Sequence, residues 1–178
     1  MRSSKAPDAE LALEHVYGYA GLENNAPNLF YLTTGEVVYY TAAVGVVLDK
    51  DKLEKKTQCQ RFFFGHDDDI KCLAMHPNRE WVATGQLGRR PFVCVWDAIT
   101  CQQLQRIVHP AGMRGIIALT FSQSDGAFLC ISVRAISMMM TSCFVLFNRG
   151  RSSRRGQLGQ RAHRDGVAVE QGRGRRGD

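Results

Sequence analysis

The sequence lacks the paired cysteines that characterise disulfide-rich and zinc-binding domains. Its six cysteines include no C-x-x-C pair, so neither a disulfide framework nor a zinc site is supported. Several of them lie in apolar runs such as residues 92–96, where a free thiol behaves as a small core residue. We therefore expect buried structural thiols in a reducing compartment.

Signals of catalysis and of membrane insertion are missing as well. There is no nucleophile elbow, phosphate loop or paired general acid and base. Four of the histidines do not cluster with cysteine or carboxylate at any ligand spacing, namely His15, His76, His109 and His163. The N-terminus has no apolar stretch of the kind a secretory signal needs. Residues 128–147 are mostly apolar, but they contain Arg134 and several Ser and Thr, so we do not expect a membrane span. The expectation is a cytoplasmic protein without enzymatic activity, cofactor or bound metal.

Lysine is absent from the last thirty residues, which carry nine Arg and only three acidic residues. The net charge of the whole chain is +6, so all of the excess lies in this tail and residues 1–148 are neutral. A nucleic-acid or anionic-membrane partner of the body therefore cannot be inferred from the basic pI.

Short runs of β-branched and aromatic residues dominate the first 132 residues. Turn residues separate them at intervals of about ten positions, which indicates an all-β architecture. The long apolar runs lack strict alternation and predict strands that are covered on both faces. The predicted strands are residues 29–32, 37–42, 45–48, 59–64, 70–75, 81–85, 92–96 and 103–108.

The most informative segment starts at Gly65-His66 and reaches Trp96-Asp97 thirty residues later. Three strands lie between these two pairs, which is the layout of one WD repeat, the four-stranded unit of a β-propeller blade. His66 can bond to a hydroxyl on the second strand, here Thr84, and that hydroxyl can reach the indole N–H of Trp96. We predict that Gly65, His66, Thr84, Trp96 and Asp97 hold the blade together and catalyse nothing.

This unit departs from the usual pattern at one position. A typical repeat has Asp six residues before the Trp, where this chain has Arg90. His66 could then pair within the acidic run 67–69 or be solvated; we expect that run to face water rather than bind a cation. A second unit begins at residue 115, turns at residues 123–126 and enters a strand at residues 127–132, but no Trp-Asp pair follows.

The aromatic residues are expected to serve packing. We predict that Tyr17, Tyr19, Phe30, Tyr31, Tyr39 and Tyr40 are core or sheet-face residues. Likewise, Phe62, Phe63 and Phe64 are predicted to pack between sheets. Residues 49–60 are charged and predict a solvated loop or a short helix.

Two segments together resemble the echinoderm microtubule-associated protein-like family. Residues 13–19, the Asn-Leu-Phe-Tyr-Leu segment and the apolar run 35–47 resemble its HELP motif, and Gly-His-Asp-Asp-Asp at residues 65–69 resembles the start of the WD repeat that follows it. In the first of these segments, the resemblance assigns five residues to the HELP motif: His15, Val16, Tyr17, Gly18 and Tyr19.

The resemblance implies a non-enzymatic cytoskeletal protein that binds tubulin and microtubules through a HELP plus WD-repeat propeller and acts in the cytoplasm. Many family members also carry an N-terminal coiled coil, which we do not expect in this chain. The alternative is a generic WD-repeat scaffold that binds other proteins through the propeller surface without binding tubulin. Neither nucleic acid nor membrane is an expected partner.

The predicted fold is all-β, with a HELP segment, about one and a half propeller blades and a disordered C-terminal tail. The predicted divisions are a disordered N-terminus at 1–10, the HELP segment at 11–49, a polar linker at 50–60, the first WD repeat at 61–108, the start of a second at 109–132 and an aberrant Arg/Gly-rich tail at 133–178. A propeller needs at least four blades to close in typical cases, so we expect open strand edges and a marginally stable fragment of a longer module.

Two hypotheses address the tail. The triple Met at residues 138–140 implies consecutive ATG codons, which encode Asp in another frame, as expected for a shifted frame, a retained intron or an inaccurate gene model. Alternatively, the tail is an Arg/Gly arm that contacts RNA or the acidic surface of tubulin. RNA-binding arms of this kind carry aromatic residues among their arginines, and the sequence has no Phe, Trp or Tyr after Phe147.

Overall fold

Twelve strands and one short helix make up the described part of the chain. The computed structural model describes residues 11–19, 21, 27–55, 57–109, 113–135, 141–146 and 169–170. The elements are β1 (Leu29–Tyr31), β2 (Val37–Thr41), β3 (Val44–Leu48), α1 (Lys50–Glu54), β4 (Gln60–Phe63), β5 (Ile70–Met75), β6 (Trp81–Gln86), β7 (Phe92–Asp97), β8 (Gln102–Val108), β9 (Met113–Phe121), β10 (Phe128–Ala135), β11 (Thr141–Leu146) and β12 (Val169–Glu170).

The strands form three four-stranded antiparallel sheets in chain order. The first sheet contains β1 to β4, the second β5 to β8 and the third β9 to β12. The predicted all-β class is confirmed, and every strand predicted between residues 29 and 108 is present with its ends shifted by no more than one residue. In each sheet, strands that follow one another in the chain are also neighbours in the sheet, which fits antiparallel meanders.

Local sequence explains where these elements start and stop. The turn at residues 33–36 places Gly35 at φ +83°, a left-handed conformation that glycine adopts without steric cost. Asp49 caps α1, because its side chain accepts hydrogen bonds from the backbone N–H groups of Asp51 and Lys52. The short helix was one of the two forms predicted for this charged segment.

The first and second sheets pack face to face around aromatic and β-branched side chains. Val38 and Tyr40 point into this shared core, whereas Val37 and Tyr39 belong to a cluster on the opposite face of the first sheet. Side chains of a strand alternate between faces, so both faces of β2 are apolar, as the unalternated run predicted. The members of the shared core are Leu32, Val38, Tyr40, Val47, Phe63, Ile70, Leu73, Val82, Phe92, Cys94, Trp96 and Ala98.

A second core joins the second and third sheets through Ala83, Val95, Ile116, Leu129 and others. Glycine permits close approach at both seams. A Cβ added at Gly45 would lie 2.8 Å from a ring carbon of Trp96, and one added at Gly85 would lie 2.5 Å from Ile116. These distances are too short for a side chain, so each glycine sets how closely its two sheets pack.

The third sheet continues beyond the two strands that the sequence predicted for it. β10 pairs with β11 from Phe128↔Leu146 to Val133↔Thr141, and β11 pairs with β12 at Phe144↔Glu170 and Val145↔Val169. A fourth strand needs only paired backbone groups, so the missing Trp-Asp does not prevent it. The rest of the tail and the N-terminal residues 1–10, which were both predicted to be disordered, lie outside the described residues.

Candidate functional site

Three side chains from three neighbouring segments meet in the core of the second sheet. His66 precedes β5, Thr84 lies on β6 and Trp96 lies on β7. The Trp96 Nε1–H donates to Thr84 Oγ1 at 3.1 Å, and Thr84 Oγ1 lies 2.7 Å from His66 Nε2. Thr84 and Trp96 are fully buried and His66 nearly so, so the network satisfies polar groups that water cannot reach.

The second ring nitrogen of His66 bonds to a residue that the sequence analysis did not single out. Its Nδ1 lies 2.8 Å from Gln86 Oε1, and Gln86 Nε2 donates to Asp67 Oδ1 at 2.6 Å. Arg90, at the position that usually carries Asp, is exposed. A buried glutamine therefore links His66 indirectly to a carboxylate.

Donor chemistry fixes the direction of this chain of hydrogen bonds. The indole of Trp96 can only donate and the carboxylate of Asp67 can only accept. Thr84 therefore donates to His66 Nε2, and the proton of the neutral ring sits on Nδ1 and points to Gln86. Each of these groups is satisfied in one consistent arrangement.

The electrostatic environment keeps His66 neutral. Burial lowers its pKa below the ordinary 6.5; the bond to Gln86 and the charge of Asp67 act in the opposite direction, and Arg106 lowers it further. The Arg106 guanidinium lies 3.5 Å from the centre of the Phe92 ring, and Phe92 stacks on His66 at 5.2 Å. Cation, aromatic ring and imidazole thus form layers at this end of the blade.

The remaining two predicted repeat residues act locally. Asp97 Oδ1 accepts from the backbone N–H groups of Ile99 and Thr100, both at 2.9 Å, and caps the turn before β8. A Cβ at Gly65 would lie 2.2 Å from the Phe63 ring, so Gly65 permits close packing there. Neither residue joins the hydrogen-bonded network of His66, Thr84 and Trp96.

The predicted HELP residues His15 to Tyr19 have no regular secondary structure, and Val16 among them packs against the cluster on the outer face of the first sheet. Gln60 holds this segment: its Oε1 accepts from Val16 N at 2.7 Å, and its Nε2 donates to Val16 O at 3.0 Å and to the Tyr39 hydroxyl at 3.1 Å. Gln60 is buried, so one amide satisfies both backbone groups of Val16. Gly18 has φ +90°, a conformation that glycine adopts readily.

The aromatic residues predicted to be core or sheet-face residues differ in exposure. Tyr17 and Tyr19 precede β1 and are 89% and 54% exposed, so they are not core residues, whereas Tyr31 lies on the edge strand β1 and is 48% exposed. Tyr39 and Tyr40 are buried as predicted.

Of the three consecutive phenylalanines predicted to pack between sheets, only Phe63 does so. It stacks on Trp96 with ring centres 4.6 Å apart. Phe62 points to the outer cluster, because neighbours on a strand face opposite sides. Phe64 lies past the end of β4 and is 62% exposed.

The HELP segment and the repeat are joined by hydrogen bonds across their seam. The backbone N–H of Ile70 donates to Ala42 O at 2.9 Å, and the Tyr40 hydroxyl donates to Lys71 O at 2.9 Å. Arg61 forms two hydrogen bonds with the Glu36 carboxylate and a third, at 3.4 Å, with Ala98 O of the second sheet. Burial and these bonds make the first two sheets one structural unit.

The cysteines whose side chains the structure describes are free thiols. Cys59, Cys72 and Cys94 are buried and free, and Cys101 and Cys130 are half-buried; burial raises the pKa of Cys72 and Cys94 to about 12. In the part of the chain that the structure describes, no group of three or more His, Cys, Asp or Glu could hold a metal ion. Within that part, no helix has the length and apolar character needed to cross a membrane.

Two buried glutamines were missed by the sequence analysis, for different reasons. Gln86 lies two residues after Thr84 on the same strand, so strand periodicity places both side chains on one face and could have found it. Gln60 contacts a segment 44 residues away, and no local pattern signals that contact.

Comparison with known proteins identifies both the HELP segment and the WD repeat. The HELP motif family matches residues 6–46, and the WD domain, G-beta repeat family matches residues 57–97. The chain is 38% identical over 138 residues to rat echinoderm microtubule-associated protein-like 2 and 40% identical over 147 residues to human echinoderm microtubule-associated protein-like 4. These alignments cover 73% and 78% of the chain. The resemblance to the echinoderm microtubule-associated protein-like family is confirmed.

The chain spans 20% of the rat family relative and 14% of the human one. Among solved structures, the β-propeller domain of Cps50 (Swd1) from Myceliophteria thermophila has a similar fold, with a TM-score of 0.53 and 12% sequence identity. That likeness covers 71% of this chain and 37% of the other, and it shows the β-propeller fold alone.

Proposed function

We propose that the protein is a non-enzymatic microtubule-associated protein of the cytoplasm. It binds tubulin and microtubules through the HELP segment and the WD repeat and contributes to organising the microtubule cytoskeleton. The observation that carries this proposal is the identity of 38–40%, over 131–147 residues, to proteins named echinoderm microtubule-associated protein-like 1, 2 and 4. The aligned stretch is long enough to include both segments.

The joint between the two segments supports a shared binding role. Trp96 of the repeat packs on Phe63 and Gly45 of the first sheet, and Arg61 reaches from the first sheet to Ala98. A partner that contacts one segment therefore contacts a surface whose shape depends on the other. The groups of the His66 network are buried and saturated with hydrogen bonds, so their role is to hold the strands in place.

Co-sedimentation of the full-length chain with stabilised microtubules tests this proposal. The body is neutral while the tail is basic, so the matched control replaces all nine Arg of residues 149–178 by Gln at unchanged length. We expect both proteins to pellet with microtubules. Pelleting of the unsubstituted chain alone would assign binding to tail charge, and pelleting of neither would contradict the proposal.

A WD-repeat scaffold for other proteins, without tubulin binding, is the alternative. The WD repeat match at residues 57–97 and the propeller fold favour it, because propellers present surfaces to many kinds of partner. It predicts that the folded chain stays in the supernatant with microtubules while retaining other protein partners.

A further inference from the structure

The outer face of the first sheet, which points away from the second sheet, carries no charged side chain among its described strand residues. Residues paired across neighbouring strands point to the same side. Leu29 and Tyr31 of β1 pair with Tyr39 and Val37 of the outer cluster, so they lie on this face too. Its strand residues are Leu29, Tyr31, Val37, Tyr39, Thr41, Val44, Val46, Leu48, Gln60 and Phe62. Such a composition is typical of a covered surface.

This outer face is only partly covered. Val16 packs on the cluster that contains the fully buried Val46. Leu29 and Tyr31, on edge strand β1, are 44% and 48% exposed. Lys50 Nζ lies 4.7 Å from the centre of the Tyr31 ring, which places this charge at the rim of the face, where interfaces usually carry polar groups. The β1 side of the face is therefore open to a partner.

The other apolar faces in this stack of sheets are covered by a neighbouring sheet. The inner face of the first sheet packs on the second sheet, and the opposite face of the second packs on the third. The fold is that of a β-propeller, in which blades stand in a ring and each packs between two others. The outer face of the first sheet therefore lies where a ring would continue, and another four-stranded sheet fits it.

The far face of the third sheet, which points away from the second sheet, lies at the other end of the stack. Leu129 and Ile131 of β10 point into the core shared with the second sheet. Phe128 and Cys130 alternate with them and point to the far face. Phe128 is 50% exposed, and the charged residue of β10, Arg134, lies near the opposite end of the strand. The Phe128 end of this face can therefore be covered without burying a charge.

We propose that the outer face of the first sheet docks the far face of the third sheet of a second copy of this chain. Within one copy the first sheet packs on the second and the second on the third, and this contact continues the same order. Two copies joined head to tail hold six four-stranded sheets, twice the three of one copy, and typical propellers have about four to eight blades. Head-to-tail contacts close into a ring when the rotation between copies allows it. This dimer goes beyond microtubule association and does not depend on it.

Analytical ultracentrifugation of the full-length chain at about 1 to 100 µM tests the proposal. Salt at about 0.3 M screens the basic tails of the two copies from each other. We expect the unsubstituted chain to pass from monomer to dimer as its concentration rises. Leu29→Asp places a charge on the outer face and Phe128→Asp places one on the far face. Each is expected to weaken the dimer at least about tenfold.

Leu53→Asp is the matched control, because it makes the same substitution at a side chain that is 46% exposed on α1 rather than on either face. We expect this variant to dimerise like the unsubstituted chain. A mixture of the Leu29→Asp and Phe128→Asp proteins should recover part of the association that each lacks alone, since one of the two contacts in the mixed dimer joins two unsubstituted faces.

Three results would overturn the proposal. They are an unsubstituted chain that stays monomeric at about 100 µM, a Phe128→Asp protein that associates as strongly as the unsubstituted chain, and an equal loss of association in Leu53→Asp. Circular dichroism checks that each variant is folded. If Leu29→Asp is not, Tyr31→Asp takes its place on the outer face, and Phe128→Ser likewise replaces Phe128→Asp on the far face.

Discussion

At the scale of single residues, Gln86 replaces the carboxylate that a WD repeat usually provides. Its Oε1 accepts a hydrogen bond from His66 Nδ1, and its Nε2 donates one to Asp67 Oδ1. A carboxylate bonded directly to His66 would place a negative charge within the blade. In this chain the neutral amide of Gln86 bonds to His66, and the charged carboxylate is that of the exposed Asp67. The network is therefore held by neutral hydrogen bonds, each of which depends on its neighbour.

Gln86→Leu is predicted to destabilise the protein by about 1–3 kcal/mol, because it leaves the buried His66 Nδ1–H without an acceptor. Urea unfolding monitored by tryptophan fluorescence measures the change. Gln102→Leu makes the same substitution at an exposed position of β8 and should change stability by less than about 0.5 kcal/mol. Equal effects at the two positions would show that Gln86 does not hold His66.

Stability is predicted to fall as the pH drops from about 7.5 to about 5.5. Burial lowers the pKa of both His66 and His109 from the ordinary 6.5. The unfolded chain therefore takes up protons on these histidines before the folded protein does, which favours unfolding below that ordinary value.

Thermal unfolding midpoints across this range measure the pH effect. The hydrogen bond from Arg61 lowers the pKa of Glu36, and the backbone hydrogen bond from Ala127 lowers that of Asp125. The stability that these carboxylates contribute is lost only at lower pH, as the pH falls through their lowered pKa values. In the variant His109→Gln, the thermal midpoint should still fall with decreasing pH, by the part of the change that His66 causes. A midpoint independent of pH down to about 5.5 would contradict the assignment of neutral, buried imidazoles.

At the scale of elements, two glycines set the spacing between the sheets. Gly45 on β3 faces the fully buried Trp96 ring, and Gly85 on β6 faces Ile116. Each of these strands presents apolar side chains to a neighbouring sheet, so the glycine is a point of close contact within an apolar surface.

Gly45→Ala is predicted to destabilise the protein by about 1–3 kcal/mol, since the new methyl group would displace a rigid indole that is also hydrogen-bonded to Thr84. Chemical unfolding, with near-ultraviolet circular dichroism as a local report on Trp96, measures it. Ala42→Gly in the same hairpin is the control, because Ala42 lies at φ +46° and glycine relieves that conformation. Wild-type stability of Gly45→Ala would show that the seam is loosely packed.

Sequence patterns predicted the strands well because each strand is signalled locally. The turn residues around Gly35 and the apolar runs of β2 and β7 are within the reach of short-range rules. The exposure of Tyr17 and Tyr31 was not predictable in this way. An aromatic residue gives the same local sequence signal whether or not a neighbouring sheet covers its side chain. The Gln60 contact with Val16 likewise depends on tertiary structure.

At the scale of the whole molecule, the first two sheets share a core and the third packs on the second. The predicted domain boundaries and the marginal stability of the isolated chain stay predictions. The core runs without interruption from Tyr40 of the first sheet to Trp96 of the second. Loss of either sheet would expose this apolar surface to water, so we expect the two to be stable only together.

The position of β4 determines how the WD repeat in the sequence relates to the sheets of the structure. The matched WD repeat, residues 57–97, begins with β4 of the first sheet and ends before β8, the last strand of the second. The repeat defined by sequence is therefore offset by one strand from the four-stranded sheet that folds. Duplication or deletion of one repeat would alter two adjacent sheets at once, and Phe63, which covers Trp96, would be inherited together with the tryptophan it protects.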